Sequence, residues 1–225
     1  MSQGLKYVVD IVFCIDSTGS MGPVIEKVKE AALKFHDDLN SEMSEKNKAI
    51  ASLRVKVISF RDYWADGSGA IAESAFFKLP EERGSFSAFV DGVRAEGGGD
   101  DPENGLEALA MAIRSDWSRE GDRRRQLIVV YTDAPAHPLD RPAKPAGYPA
   151  GLPANLDELT DMWEGQSYLS KNAKRLILHT PDAEPWTPIA AHWTNTLHHA
   201  SKAGAGMAEV TYSEILGVIA ESVGG

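Results

Sequence analysis

Tyr7-Val8-Val9-Asp10-Ile11-Val12-Phe13-Cys14-Ile15-Asp16-Ser17-Thr18-Gly19-Ser20 is the stretch that decides how this chain is read. Its apolar part, Tyr7 to Ile15, has the continuity of a strand buried on both faces. Asp16 ends that strand and opens a tight turn carrying the hydroxyls of Thr18 and Ser20. Gly19 and Gly22 permit the sharp turn, and from Val24 to Leu39 the apolar positions take on helical spacing. A carboxylate and two hydroxyls at the carboxyl end of a strand, just ahead of a helix, are the donor set of a small hard cation. The plainer reading is a helix N-terminus at which Asp and Ser cap backbone amides. The remainder of the chain decides between them.

Composition sets the bounds. With 225 residues and 43% hydrophobic content, the chain is long enough for a full core, and one domain over 1–225 is expected. Its net charge of -10, from 33 acids against 23 bases, argues against nucleic acid as the partner, since little counterion release is on offer. The basic triplet Arg123-Arg124-Arg125 reads as a solvated loop ahead of a strand. The single cysteine, Cys14, reads as a small buried hydrophobe. No signal-peptide core and no apolar run of membrane-spanning length is present, so a cytoplasmic location without membrane contact is expected.

Strand and helix patterns alternate along the chain. Ile25, Val28, Ala32, Phe35 and Leu39 share one helical face. Leu53 to Phe60 and Glu73 to Leu79 read as strands, Phe86 to Val93 and Leu106 to Trp117 as helices, and Leu127 to Tyr131 as a strand in mid-sheet. Asn155 with Glu158 forms a capping-box pattern opening a helix through Trp163. Arg175 to His179 is a strand. Thr187-Pro188 opens a helix that carries Trp193, Leu197 and the His198-His199 pair. Ala208 to Tyr212 is a last strand, and Ile215 to Val223 a closing helix. The alternation implies an α/β fold, a mostly parallel sheet with helices on both faces.

In such sheets ligands gather at the carboxyl ends of the strands, where strand order reverses. Two further acidic turns follow strands, Arg61-Asp62-Tyr63 and Thr132-Asp133-Ala134-Pro135. A third, Gly97-Gly98-Gly99-Asp100-Asp101-Pro102-Glu103, precedes a helix, with Asp101 and Pro102 suited to N-cap and first helical residue. Acidic turns from distant parts of the chain meet only through the fold, and their joint occurrence favours the cation reading.

These residues resemble the von Willebrand factor A (vWA) family and its metal-ion-dependent adhesion site. Asp16, Thr18 and Ser20 match the Asp-x-Ser/Thr-x-Ser of the first loop, Asp100 stands in the Gly-rich second loop, and Asp133 follows the third strand. The resemblance spans the chain in element order and implies a three-layer Rossmann-like fold with one antiparallel edge strand. Phe-Arg-Asp-Tyr, Gly-Gly-Gly-Asp-Asp-Pro-Glu and Thr-Asp-Ala-Pro are most similar to the intracellular branch found beside alpha-kinases and in bacterial stand-alone proteins. The resemblance implies Mg²⁺ (or Mn²⁺) bonded directly by Thr18 and Ser20, with Asp16 and Asp133 acting largely through bound water. It further implies a partner protein whose acidic side chain completes the coordination, and binding without turnover. A departure lies in Asp100, where many members carry a neutral Thr; a third carboxylate against one divalent ion weakens the pull on an anionic partner.

Asp62 should lie along the edge that carries the metal; its plainer role is a turn or ion-pair contact with Arg61. His137, four residues past Asp133, reads as an exposed turn histidine that otherwise reaches the site. The Pro-rich stretch 134–154 has no apolar periodicity and leaves the strand carrying Asp133, so it is expected to form partner surface, with Tyr148 and Leu152 as apolar contacts. The enzymatic alternative is a haloacid-dehalogenase-like phosphatase with Asp16 as nucleophile. Thr18 stands where that mechanism needs a second Asp as proton donor, which disfavours it. No P-loop and no Gly-x-Ser-x-Gly elbow occurs in the sequence.

Overall fold

β1 (Leu5–Asp16) runs through the middle of a single sheet, flanked by β2 (Lys48–Phe60) on one side and β5 (Arg124–Tyr131) on the other. The computed structural model describes residues 5–32, 34–98, 102–121, 123–204, 207 and 211–224. Beyond β5 follow β6 (Lys174–Pro181) and β7 (Thr196–Ser201), all parallel. The opposite edge is shared by two short strands antiparallel to β2, β3 (Ile71–Glu73) and β4 (Phe77–Leu79).

Burial on both faces explains the unbroken apolar runs. Val9, Ile11, Phe13 and Ile15 of β1 face one core with Leu127, Val129 and Tyr131, closed by α1 (Gly22–Ala32), α2 (Phe35–Glu45), α4 (Arg83–Gly92) and α8 (Tyr212–Gly224). Val12 and Cys14 face a second core with Ile128 and Val130, under α5 (Gly105–Ile113), α6 (Leu156–Glu164) and α7 (Trp186–His192). Each aliphatic side chain buried in these layers contributes about 1.5–3 kcal/mol. The Cys14 thiol, fully buried against the Ala108 carbonyl, has its pKa pushed up by desolvation. Asp10 is the one acid inside the β1 run. It is buried, and it is satisfied by both forks of Arg54 (2.9 and 2.7 Å) and by the Ser118 amide (2.7 Å).

Several expectations change. The helix read over Val24 to Leu39 is two helices, α1 and α2. The strand read over Glu73 to Leu79 is broken between β3 and β4, where buried Ser74 accepts the Val57 amide with its hydroxyl while its own amide donates to Val57. A side chain there replaces the ladder carbonyl. α5 opens at Gly105 with Asn104 before it, so Pro102 lies ahead of the helix; Asp101 is outside the described residues. α5 ends at Ile113, and Trp117 caps it by donating its indole N–H to the carbonyls of Ala112 and Ile113. Arg124 and Arg125 belong to β5 rather than to a loop. α7 starts at Trp186, one residue before Thr187, and ends at His192. Leu197 and the His198-His199 pair therefore lie on β7, a strand whose mixed polarity hid it, and Leu197 is 48% exposed. Of the strand read over Ala208 to Tyr212, residues 208–210 are outside the described residues and Tyr212 opens α8. The capping box at Asn155 does form: its side-chain oxygen accepts the Glu158 amide at 2.9 Å. Among the described residues no helix is long and apolar enough to cross a membrane.

Candidate metal centre

Strand order reverses at β1, whose chain neighbours in sequence lead away to opposite sides, so the crevice at its carboxyl end is the place where a ligand is expected. Asp16, the last residue of β1, pairs in register with Phe60 of β2, and Ile15 with Tyr131 of β5. The loops after all three strands therefore start at one level.

Asp16 organises them. One carboxylate oxygen accepts the amide (2.9 Å) and the hydroxyl (2.6 Å) of Thr18, and the other accepts the Thr132 hydroxyl (2.6 Å). Ser20 donates its hydroxyl to Asp133 at 3.0 Å, and the hydroxyl oxygens of Thr18 and Ser20 stand 3.5 Å apart. Asp16, Thr18 and Asp133 are buried whereas Ser20 is exposed, so the cluster opens to solvent on one side. Burial lifts the Asp16 carboxyl to about 6; the Thr132 and Thr18 hydrogen bonds pull it down, and the Asp133 charge pushes it up. Among the described residues no Lys, Arg or His makes an ion pair with Asp16.

This donor set fits a divalent hard cation. Among the described residues no group of three or more His, Cys, Asp or Glu side chains gathers as a metal cage. The donors are oxygens, two carboxylates with the hydroxyls they orient. Mg²⁺ suits such a set because it keeps several waters and takes few protein carboxylates. A buried carboxylate with no cationic partner is also costly, and a bound cation would offset that cost. Asp100, the expected contribution of the second loop, lies outside the described residues.

The second loop reaches the site at Gly98. Its φ of +75° favours glycine, and a Cβ there would stand 2.7 Å from Thr18 Cγ2 and 3.0 Å from Glu103 Oε1. Its amide donates to Asp66 at 2.9 Å, tying the loop to α3 (Tyr63–Asp66). Past Gly98, Glu103 is nearly fully buried and bridges in parallel to Ala136, its amide on the Pro135 carbonyl and its own carbonyl taking the His137 amide.

The remaining candidates form a neighbouring group around α3. Asp62 caps that helix by accepting the Trp64 amide (2.9 Å) and lies 3.3 Å from His137 Nε2; Arg61 pairs instead with Asp66 and Glu96. His137 is buried, correcting its reading as an exposed turn residue, because Trp64 packs edge-on against it at 5.0 Å. Arg141 stacks on Trp64 at 3.9 Å. Tyr148 is only half exposed, packed on Tyr63 and Trp64, and its hydroxyl bonds the buried Glu107 carboxylate. Leu152 is half-buried against the second core. Both were expected as outward contacts, yet much of each is spent on holding the Pro-rich loop down.

Sequence reasoning missed Thr132, Glu103 and Glu107 as parts of this architecture. Thr132 stood in the quoted motif without a role. Glu107, between Leu106 and Ala108 on an otherwise apolar helix, was the readable signal of a buried acid.

Comparison with known proteins agrees with this architecture. The chain is 27% identical over 157 residues to an alpha-protein kinase, vwkA, of Dictyostelium discoideum, covering 68% of this chain and 23% of that protein. It is 27% identical over 130 residues to a putative ariadne-like RING finger protein, R811, of Acanthamoeba polyphaga mimivirus, covering 58% of this chain and 11% of that one. The chain thus spans under a quarter of the length of either relative. Among solved structures, the vWF domain of the type V pili tip protein Mfa5 from Porphyromonas gingivalis superposes with a TM-score of 0.52 at 11% identity, covering 96% of both chains. The pilus adhesin SpaC from Lactobacillus rhamnosus GG gives 0.55 at 10% identity, over 96% of this chain and 30% of that one. The family model for the von Willebrand factor type A domain matches residues 10–148. On that match, which takes in all three strand-end loops, the chain belongs to the von Willebrand factor type A domain family.

Proposed function

We propose that the protein is a non-enzymatic, metal-ion-dependent binding module that engages a partner protein in an intracellular complex. Thr18 and Ser20 would hold Mg²⁺ (or Mn²⁺), with Asp16 and Asp133 behind them and Asp100 as the second loop's candidate. The observation that carries the reading is Asp16, a buried carboxylate without an ion pair among the described residues, whose three hydrogen bonds aim hydroxyls from two different loops. A cation held there would supply Lewis acidity toward an oxygen of the partner. The chain's own residues orient the hydroxyls, exclude water from Asp16 and present Ser20 to solvent. Trp64, Arg141, Lys144 and Tyr148, bordering the site through α3, supply the surrounding contact surface.

Thermal unfolding of the wild type and of Asp16→Ala, each in Mg²⁺ and in EDTA, tests it. A ligand confined to the folded state stabilises by mass action, about 2.7 kcal/mol at a hundred times its Kd. Mg²⁺ should raise the wild-type transition and leave the variant unmoved. A folded wild type indifferent to both Mg²⁺ and Mn²⁺ would sink the reading.

A further inference from the structure

Two segments far apart in sequence, 119–125 and 166–175, carry seven bases against two acids in a chain whose total charge is -10. The fold joins them at the amino ends of β5 and β6. Gln126 pairs in register with Lys174, and its amide donates to the Ala173 carbonyl (2.9 Å). Its buried side chain ties both segments down: Oε1 accepts the Ser170 amide (2.8 Å), and Nε2 donates to the Ser118 carbonyl (3.1 Å). Between the segments lies a recess of about 470 Å³, walled by Arg123, Arg124, Arg125, Ser170, Lys171 and Asn172. Among the described residues, every charged side chain lining it is basic.

Backbone carbonyls help to hold the guanidinium heads. Arg124 donates to the Arg119 carbonyl, and Arg125 to that of Arg124 (3.1 Å) while lying over the Tyr7 ring at 5.1 Å. Arg175 donates to the carbonyls of Lys174 (2.7 Å) and Asn172 (3.3 Å). Carbonyls fix these heads without cancelling their charge, and each guanidinium has further N–H groups to offer. The crowding is felt at Arg175, where burial first and then the Arg125 charge hold the pKa below the usual arginine value. A solvated basic loop, the plainer reading, accounts for the charges alone. It leaves unexplained a concave wall on which like charges are pinned side by side, an arrangement that costs free energy until an anion offsets it.

A carboxylate would bring a single charge. Phosphate brings nearly two, with oxygens spaced to match the guanidinium fork. The recess has the size of a small-molecule pocket, and the acidic remainder of the chain repels a long polyanion such as nucleic acid. We propose that this recess binds a phosphate group, free or carried on a small soluble molecule, with Arg123, Arg124 and Lys171 as its charged contacts and Ser170 and Asn172 as neutral donors. The site stands apart from the candidate metal centre: β5, eight residues long, puts about 25 Å between them, so neither reading depends on the other.

The test is calorimetric titration of the full chain with inorganic phosphate, O-phosphoserine and acetate, all in EDTA so that no cation at the far pole captures the anion. Wild type is compared with Arg123→Gln and Lys171→Gln, both at exposed positions, and with Lys78→Gln on β4 as control. Wild type should bind phosphate or phosphoserine and not acetate. Tighter binding of phosphoserine marks a carried group, and tighter binding of phosphate a free ion. Each recess variant should weaken binding about tenfold, the worth of one charge-assisted hydrogen bond, with an unchanged unfolding temperature in the absence of ligand. Lys78→Gln should bind as wild type does. A folded wild type that binds neither phosphate nor phosphoserine would overturn the proposal, as would equal affinity for acetate or recess variants within about twofold of wild type. Capture by phosphatidic acid vesicles without binding of the soluble phosphates would give the patch to a membrane and overturn it too. Should either recess variant fail to fold, the other decides.

Discussion

The hydroxyl of Tyr148, in the middle of the Pro-rich loop, donates a 2.5 Å hydrogen bond to the carboxylate of Glu107, which is completely buried on α5. Lys144 lies over the Tyr148 ring at 4.4 Å and bonds its hydroxyl at 3.2 Å, so ring, ammonium and carboxylate close on one another. Burial raises the Glu107 carboxyl, and the Tyr148 hydroxyl and Asn104 hold it down. A loop with no periodic apolar pattern is thereby latched to the helix that begins beside the candidate metal centre.

Tyr148→Phe removes the donor and keeps the ring. A hydrogen bond to a charged acceptor is typically worth about 1.5–3 kcal/mol, and here a buried acid is left short of a partner. We expect a loss of about 2 kcal/mol in urea unfolding, with faster amide exchange across 134–154. Unchanged stability and exchange would mean that the loop is held by its packing on Trp64 and Tyr63 alone.

Gly98→Ala puts a methyl group where Thr18 and Glu103 already press, at a φ that L residues rarely adopt. The backbone cost is about 1–3 kcal/mol. Because Thr18 must shift to make room, Mg²⁺-dependent stabilisation should fall further than stability in EDTA. Gly19→Ala is the control: a Cβ there meets nothing within 4 Å, and it should be nearly silent.

His179 gives a pH dependence of definite sign. It is buried in β6, stacked between Tyr131 (4.9 Å) and His199 (4.8 Å). Desolvation chiefly, then the His199 and His198 charges, lower it to about 4, against an opposing pull from Glu214. The fold therefore holds the ring neutral while the unfolded chain protonates it near 6.5. Its contribution is fully present above pH 6.5 and is lost as pH falls toward 4, about 3 kcal/mol in all. His179→Gln should flatten the stability profile across that window, measured by urea unfolding at half-unit steps. A profile as steep as wild type would assign the acid sensitivity to other groups.

The strands with continuous apolar runs, β1 and β5, were legible because both faces are buried and nothing interrupts them. β7 was not legible. Thr196 to Ser201 alternates weakly and lies at the sheet edge, so its six residues, two histidines among them, carry no apolar period. The split between β3 and β4 was hidden too, since Ser74 interrupts the ladder by accepting the Val57 amide of the neighbouring β2 on its hydroxyl.

At the candidate site, local sequence alone determined the turn after β1, with Asp16, Thr18 and Ser20 carried on one short arc behind a buried strand. Local chemistry dictates that much, because the backbone amide and hydroxyl two residues on are within reach of the strand-ending carboxylate. Sequence also marked Asp133 as the acid ending a mid-sheet strand. What only the tertiary structure decided is which oxygens face one another: Thr132 on Asp16, and Ser20 on Asp133. Those contacts join residues more than eighty positions apart, and no local period encodes them. They arise because β2, β1 and β5 end in register at the reversal of strand order, which brings three separately encoded loops into one crevice.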